Sequence, residues 1–382
     1  DWVVSNRTTL GADNGIGIAA ALAVAEDADT PHGPLELLFT VDEEATVDGA
    51  KKLESSIVAY RRMLNLDAEN DEELVVGCAG GADVDIEYGV RRTPVQEDGV
   101  AVVLQVRGLR GGHSGLSIHE SRGNAIKILA RVLRRWLRLA EVYIWSIEGG
   151  NKPTAIAREA SALLLVPVKL VDRLRAIADQ AAQAFLDELG DLDGGLEVTL
   201  DKAKCPDVPP MDCSSTRRLV RLLNALPHGV QAMTREEPQR VHTSANLAAV
   251  RTGVDRVTIT MSARSMLAWG LDEMLNQIDA TSCLAGAATE EIAVYPPWRA
   301  VEGSPMVALA HRIYGEVFSS EPRLSAIHAG AECGVIGQRV PDMDMVSFGP
   351  LIEDAHSPSE RVSVASVQRF HLFLSRFLGA LT

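Results

Sequence analysis

The chain has 382 residues, of which 46% are hydrophobic and 23% charged, and this composition is typical of a soluble globular protein with two or three domains. Its 52 acidic and 37 basic residues leave a formal charge of −15, which argues against nucleic-acid binding because such proteins need a basic face to neutralise phosphates. The sequence has no membrane-length apolar run, and its five cysteines show no CxxC spacing, so we expect a cytoplasmic protein that contacts no membrane.

The first part of the chain predicts alternating helices and strands. Residues 16–25 are apolar almost all round and indicate a buried helix. Residues 34–41 and 63–66 form short apolar runs bounded by proline or acid, which are typical of buried strands. Strands and a helix at this spacing favour βαβ units and a mostly parallel sheet.

A different pattern begins near residue 99. Alternating apolar residues predict strands at 100–106, 161–168, 196–200 and 256–261, and helical periodicity predicts helices at 122–140 and 173–189. This middle segment is expected to form a separate α+β domain.

The last part of the chain returns to the first pattern, with helices predicted at 304–318 and 364–381 and a strand at 343–348. We therefore predict an α/β protein whose discontinuous domain has a mostly parallel sheet flanked by helices. This domain is assigned to residues 1–90 and 296–382, and residues 91–295 are assigned to an inserted α+β domain.

Acidic and imidazole side chains recur at strand ends or helix starts, namely at Asp13, at Asp42, Glu43 and Glu44, at Asp67 and at His356. Ligands of open α/β sheets bind beyond the carboxyl ends of the strands, so we expect these side chains to converge. Carboxylates packed together raise each other's pKa unless a cation neutralises them, and carboxylate with imidazole suits zinc, manganese or cobalt. The pattern predicts a dinuclear metal site, although each motif taken alone is typical of a solvated loop or a helix start.

Two other motifs do not fit their usual roles. The glycines at 11, 15 and 17 are spaced GxxxGxG, whereas a dinucleotide-binding turn needs GxGxxG. The run Gly112-His-Ser-Gly-Leu116 has leucine where the nucleophile elbow GxSxG has its last glycine, which argues against a serine nucleophile.

Several segments resemble the aminoacyl-histidine dipeptidases, also called cytosol non-specific dipeptidases, within the dinuclear-zinc metallopeptidases. These segments are Thr8-Thr-Leu-Gly-Ala-Asp-Asn-Gly-Ile-Gly17, His32-Gly-Pro-Leu-Glu36, Thr40-Val-Asp-Glu-Glu44, Gly77-Cys-Ala-Gly-Gly81, Gly111-Gly-His-Ser-Gly115, Ile327-His-Ala-Gly-Ala-Glu-Cys-Gly334 and His356-Ser-Pro358. They span nearly the whole chain in order. The resemblance implies that the discontinuous domain is the catalytic domain, and that the inserted domain is a lid that also forms a homodimer interface.

The resemblance also implies a role for each candidate metal ligand. Asp13 would bridge two divalent ions, most simply zinc, with manganese or cobalt as alternatives. Glu44 and His356 would bind one ion, and Asp67 would bind the other. Glu43 would be the general base that takes a proton from a metal-activated water.

Other site residues follow from the same resemblance. His113 would stabilise the oxyanion, Arg264 would hold the substrate carboxylate, and Asn246 would help to bind substrate. A structural hydrogen-bonding role is an open alternative for Arg264 and Asn246. The peptide bond between Asp13 and Asn14 is expected to be cis.

One departure concerns the family's His-x-Asp motif, which lies well upstream of the bridging aspartate. Only 12 residues precede Asp13, and none of the nine histidines lies in such a motif. We therefore expect either an N-terminally incomplete member or a short form that has lost one metal site.

The sequence thus predicts a metal-dependent dipeptidase with Xaa-His or broad specificity. The alternatives are a catalytically impaired or non-catalytic remnant that binds peptides or a partner, and an aminoacylase or carboxypeptidase of the same architecture.

Overall fold

The computed structural model describes residues 1–43, 47–95, 98–235, 240–299 and 301–381. The chain folds as two compact units. One combines Asp1–Ala79 with Tyr295–Thr382, and the other consists of Gly80–Val294. The first unit is therefore discontinuous in sequence, because the second is inserted into it.

The first segment of the discontinuous unit contains both helices and strands. In chain order, these are β1 (Trp2–Val4), α1 (Ala12–Glu26), α2 (Asp48–Lys51), β2 (Arg62–Asn65) and β3 (Glu73–Cys78).

The inserted unit is built from long strands and amphipathic helices. In chain order, they are β4 (Gly80–Gly89), β5 (Gly99–Arg107), β6 (Gly112–His113), α3 (Ala125–Trp136), β7 (Tyr143–Gly149), β8 (Ala155–Ile156), β9 (Ala160–Pro167), α4 (Val171–Leu189), β10 (Glu197–Lys202), α5 (Cys213–Ala225), β11 (Gly229–Met233), β12 (Val241–Thr252), β13 (Arg256–Ser265), α6 (Ala268–Ala285) and β14 (Ala288–Tyr295).

The last segment completes the discontinuous unit. Its elements are β15 (Trp298–Arg299), α7 (Pro305–Phe318), β16 (Arg323–Ile327), α8 (Glu332–Arg339), β17 (Asp344–Ser347), β18 (Ile352–Glu353), β19 (Arg361–Ser363) and α9 (Val364–Ala380).

Two sheets lie in the described part of the discontinuous unit. In the larger sheet, β17 runs parallel to β2 and β16 runs parallel to β3, whereas β15 and β17 pair with β3 in antiparallel fashion. The smaller sheet has the order β1-β19-β18. Buried residues of α1, α7 and α9 pack against β17 around Phe348, Phe373 and Phe377. This packing holds both chain segments in one core.

A large sheet with the order β10-β5-β9-β7-β12-β13-β4-β14 forms the centre of the inserted unit, and β11 pairs with β12. The helix α3 buries Leu129, Leu133 and Trp136 in the core of this unit. Each fully buried side chain of this size contributes roughly 1.5–3 kcal/mol. Asn124 caps α3 by accepting hydrogen bonds from the backbone N–H groups of Ile126 and Lys127 at 3.0 and 3.2 Å.

The α/β fold class is confirmed, and most predicted elements correspond to observed ones. None of the helices in the described ranges is long and apolar enough to cross a membrane. The roles of the two units as catalytic domain and lid stay predictions.

The buried strand predicted at residues 34–41 is wrong. This segment pairs with no strand in the described ranges, and Leu35 and Phe39 are 39% and 50% exposed. A short apolar run becomes a strand only where a neighbouring strand supplies hydrogen bonds, and periodicity carries no information on that neighbour. The helix predicted at 16–25 is present, but its all-round burial is wrong because Ile18 and Leu22 are nearly half exposed.

Candidate active site

The start of α1 places Asp13 where the chain turns sharply. Gly11 has a φ of 75° and a ψ of 25°, a left-handed conformation that glycine adopts without steric cost. The peptide bond between Asp13 and Asn14 is cis, as the resemblance implies. The Asn14 Oδ1 then accepts a hydrogen bond from the Gly17 N–H at 3.0 Å. Asp13 therefore lies at a bend rather than on a regular helical turn.

Asp13 and His356, which are far apart in sequence, meet in the structure. The His356 Nε2 lies 2.9 Å from the Asp13 Oδ2, and the two side chains are 63% and 12% exposed. His356 lies on the loop between β18 and β19 with a φ of 62°. The structure thus brings together one carboxylate and one imidazole of the four predicted metal ligands.

Asp67 lies just beyond β2 and is half-buried. Its backbone N–H donates to the Asn65 Oδ1 at 3.3 Å, and the same oxygen accepts a hydrogen bond from the Ser347 hydroxyl at 2.6 Å. A Cβ atom at Gly17 would lie 2.6 Å from the Leu66 carbonyl oxygen, and one at Gly349 would overlap with the Ala68 carbonyl oxygen. The residues on either side of Asp67 therefore contact the first turns of α1 and the end of β17.

Glu43 lies at a turn and is half-buried, whereas Glu44 lies outside the described residues. The Asp42 carbonyl accepts a hydrogen bond from the Val47 N–H at 2.8 Å. Just before this turn, the Thr40 hydroxyl donates to the Glu332 Oε2 at 2.9 Å. Burial raises the pKa of Glu332, and the Thr40 hydrogen bond lowers it in part.

His113 lies in β6, which pairs with β8 in the inserted unit. Its Nδ1 accepts hydrogen bonds from the backbone N–H groups of Gly115 and Leu116 at 3.1 and 3.0 Å. An Nδ1 that accepts carries no proton, so the neutral ring has its proton on Nε2. His113 is therefore arranged as a hydrogen-bond donor through Nε2, which is the form that oxyanion stabilisation requires.

Asn246 and Arg264 are buried on adjacent strands of the inserted unit. The Asn246 Nδ2 donates to the carbonyls of Pro153 and Ala155 at 3.1 and 2.8 Å, whereas its buried Oδ1 has no hydrogen-bond partner in the described residues. Ala155 lies in β8 and pairs with His113 in β6. Asn246 therefore supports the strand that is paired with the His113 strand.

Arg264 has an acidic neighbour. Burial raises the pKa of Asp83, while a Ser262 hydrogen bond and the charge of Arg264 lower it. Asp83 thus lies within electrostatic range of the guanidinium that was predicted to hold a substrate carboxylate.

Sequence reasoning missed Glu360, a buried carboxylate four residues after His356. Its side chain accepts hydrogen bonds from the backbone N–H groups of Leu10, Gly11, Ala12 and Asp13 at 2.7 to 3.3 Å. Burial raises the pKa of Glu360, but these four donors outweigh burial and hold it below its usual value. Its only sequence signal is an acid close to His356, which does not indicate a partner near residue 10.

The donor set fits a divalent ion in its chemistry. A carboxylate oxygen and an imidazole nitrogen suit zinc, manganese or cobalt. Within the described ranges, which leave out Glu44, no group of three or more His, Cys, Asp or Glu side chains is arranged to hold a metal ion. The assignment of Asp13, Glu44, Asp67 and His356 as a complete ligand set stays a prediction.

Comparisons with known proteins find similarity to peptidases. The sequence model of a family described as Peptidase family M20/M25/M40 matches residues 11–380. The chain is 37% identical over 378 residues to the cytosol non-specific dipeptidase of Escherichia coli K12, and the match covers 99% of this chain and 78% of that protein. It is 34% identical to the aminoacylhistidine dipeptidase of Vibrio alginolyticus, whose crystal structure matches with a TM-score of 0.88 and covers 100% of this chain and 78% of that one.

We predict that Gly17→Ala disturbs the site, whereas Gly15→Ala does not. A Cβ at position 17 would overlap with the Asn14 Oδ1 and crowd the Leu66 carbonyl, whereas nothing lies within 4 Å of a Cβ at position 15. We expect Gly17→Ala to cost about 1–3 kcal/mol by overpacking and Gly15→Ala to be neutral or stabilising by up to about 1 kcal/mol. Urea unfolding of both variants measures the difference, and equal stabilities would contradict the packing described for α1.

Proposed function

The chain belongs to peptidase family M20/M25/M40, and from this membership we propose that it is a metal-dependent dipeptidase with Xaa-His or broad specificity. The observation that carries the proposal is the pairing of Asp13 with His356 at 2.9 Å, in a chain 37% identical to a dipeptidase along 99% of its length. That relative is a cytosol non-specific dipeptidase, which also supports a cytosolic setting for this chain.

In this proposal, Asp13, Glu44, Asp67 and His356 hold two divalent ions, most simply zinc. The ions, when bound, supply Lewis-acid polarisation of a water molecule and of the peptide carbonyl. The support is the carboxylate and imidazole chemistry of Asp13 and His356, together with the contacts that tie the Asp67 loop to α1.

Glu43 is proposed as the general base. Its carboxylate takes a proton from the attacking water and passes it to the leaving amine, which would otherwise depart as an unstable anion. The support from the structure is the half-buried position of Glu43 next to Asp42, whose carbonyl accepts a hydrogen bond from the Val47 N–H.

His113, Arg264 and Asn246 are proposed to act on the substrate. The Nε2–H of His113 would donate to the developing oxyanion, and the two hydrogen bonds to its Nδ1 support this role because they select the necessary tautomer. Arg264 would bind the substrate carboxylate. Asn246 has one buried oxygen without a partner in the described residues, which would accept a hydrogen bond from a substrate N–H.

We predict that Glu43→Gln lowers kcat for dipeptide hydrolysis by about 10²–10⁴-fold, since it removes only the proton acceptor. Zinc content, measured on the same protein by mass spectrometry, should stay at the wild-type value. Glu26→Gln is the matched control because Glu26 is exposed at the end of α1, and its kcat should be unchanged.

The substrate class is tested with dipeptides, tripeptides and N-acyl amino acids under the same conditions. Hydrolysis of dipeptides above the other two supports the proposal. A preference for N-acyl amino acids would indicate an aminoacylase, and zinc binding without hydrolysis of any of them would indicate a non-catalytic remnant.

The proposal includes a homodimer formed through the inserted unit. On helix α6, Trp269 and Leu284 have 85% and 92% of their surface exposed. Exposed aromatic side chains of this kind are common at protein interfaces. We predict that Trp269→Asp shifts the sedimentation coefficient from the value of a dimer to that of a monomer. Val254→Asp is the control, because Val254 is equally exposed at a turn, and it should leave the coefficient unchanged. A wild-type chain that sediments as a monomer at all concentrations would contradict the dimer.

A further inference from the structure

Glu360 is almost completely buried, with 2% of its surface exposed, and it lies on the loop that carries His356. The loop is closed by its own hydrogen bonds. The Glu360 N–H donates to the Ser357 carbonyl at 3.1 Å, and the Ser357 hydroxyl donates to the Asp354 carbonyl at 2.8 Å. Because these bonds restrict the loop, the positions of His356 and Glu360 are fixed relative to each other.

The Glu360 carboxylate binds a run of consecutive backbone amides. Its Oε2 accepts from Leu10 and Gly11 at 2.7 and 2.9 Å, and its Oε1 accepts from Ala12 and Asp13 at 2.8 and 3.3 Å. These amides precede the regular part of α1, because Asp13 and Asn14 have non-helical backbone angles, and Glu360 binds them from nearly 350 residues away in sequence.

The loop therefore contacts Asp13 at two points. Glu360 binds the Asp13 backbone N–H, and His356 lies 2.9 Å from the Asp13 carboxylate. A shift of residues 10–13 would move the carboxylate away from the imidazole. The hydrogen bonds of Glu360 oppose that shift.

We propose that Glu360 is a positioning residue, which fixes the backbone of residues 10–13 so that Asp13 and His356 can bind the same divalent ion. This inference rests on the proposed function, in which Asp13 and His356 are metal ligands. Glu360 itself contacts neither substrate nor metal in this proposal. Its effect reaches the ion through Asp13.

Three variants separate positioning from general stability. Glu360→Gln keeps the shape of the side chain but turns an NH₂ group toward two backbone N–H donors, which cannot hydrogen-bond to it. Glu360→Asp keeps the charge and both oxygens but is one methylene shorter. Glu353→Gln is the matched control, because Glu353 lies on the same hairpin and bonds to Arg361 instead.

The test is calorimetric titration of each metal-free protein with Zn²⁺, accompanied by thermal unfolding of the same samples. We expect Glu360→Gln to weaken zinc binding by about 10–100-fold, as loss of a group that orients a metal ligand typically does. Glu360→Asp should recover part of the affinity, and Glu353→Gln should bind as wild type. If Glu360→Gln fails to fold, the zinc affinity of Glu360→Asp tests the inference instead, and we expect it to be lower than that of the wild type.

Wild-type zinc affinity in both Glu360 variants, even with lowered unfolding temperatures, would show that the Glu360 hydrogen bonds are purely structural and would overturn the inference. A wild-type chain that binds no zinc would overturn it as well. The proposed function fails separately. Zinc affinity that depends on Glu360, in a protein that hydrolyses no dipeptide, supports the inference and contradicts the function.

Discussion

The hydrogen bonds between the Glu360 carboxylate and four consecutive backbone N–H groups are the interaction on which the candidate site depends. A buried carboxylate is costly unless donors surround it, and backbone N–H groups shielded from water are costly unless an acceptor meets them. Each group removes the cost of the other. The result is a rigid connection between the start of α1 and the β18–β19 loop, with Asp13 and His356 on its two sides.

Close backbone contacts extend this connection to the next strand. Side chains are excluded at Gly17 and Gly349, where a Cβ would meet the carbonyls of Leu66 and Ala68. These contacts hold the residues around Asp67 against α1 and β17, so the loops that carry Asp13, Asp67 and His356 belong to one packed unit. In the inserted unit, the backbone donors to the His113 Nδ1 fix its tautomer in a similar way. Contacts with backbone groups, more than contacts between side chains, thus fix the positions of the candidate catalytic residues.

The sequence predicted elements with strong periodicity and failed where an element needs a distant partner. In residues 364–381, apolar side chains recur every three or four positions and so form one face of a helix. The helix α9 follows that pattern because this face packs on the core of the unit. Residues 34–41 are equally apolar, but a strand requires a neighbour that local pattern cannot specify. The pairing of Asp13 with His356 followed from their positions at element ends, whereas Glu360 carried no signal because its partners are backbone amides, which every residue has.

The central claim is that Asp13 and His356 share a divalent ion. It is tested most directly by crystals grown with zinc, with anomalous diffraction measured on both sides of the zinc absorption edge. The claim predicts an anomalous peak about 2.0–2.2 Å from both the Asp13 Oδ2 and the His356 Nε2. A fully occupied zinc bound elsewhere, with these two atoms still hydrogen-bonded to each other, would contradict it.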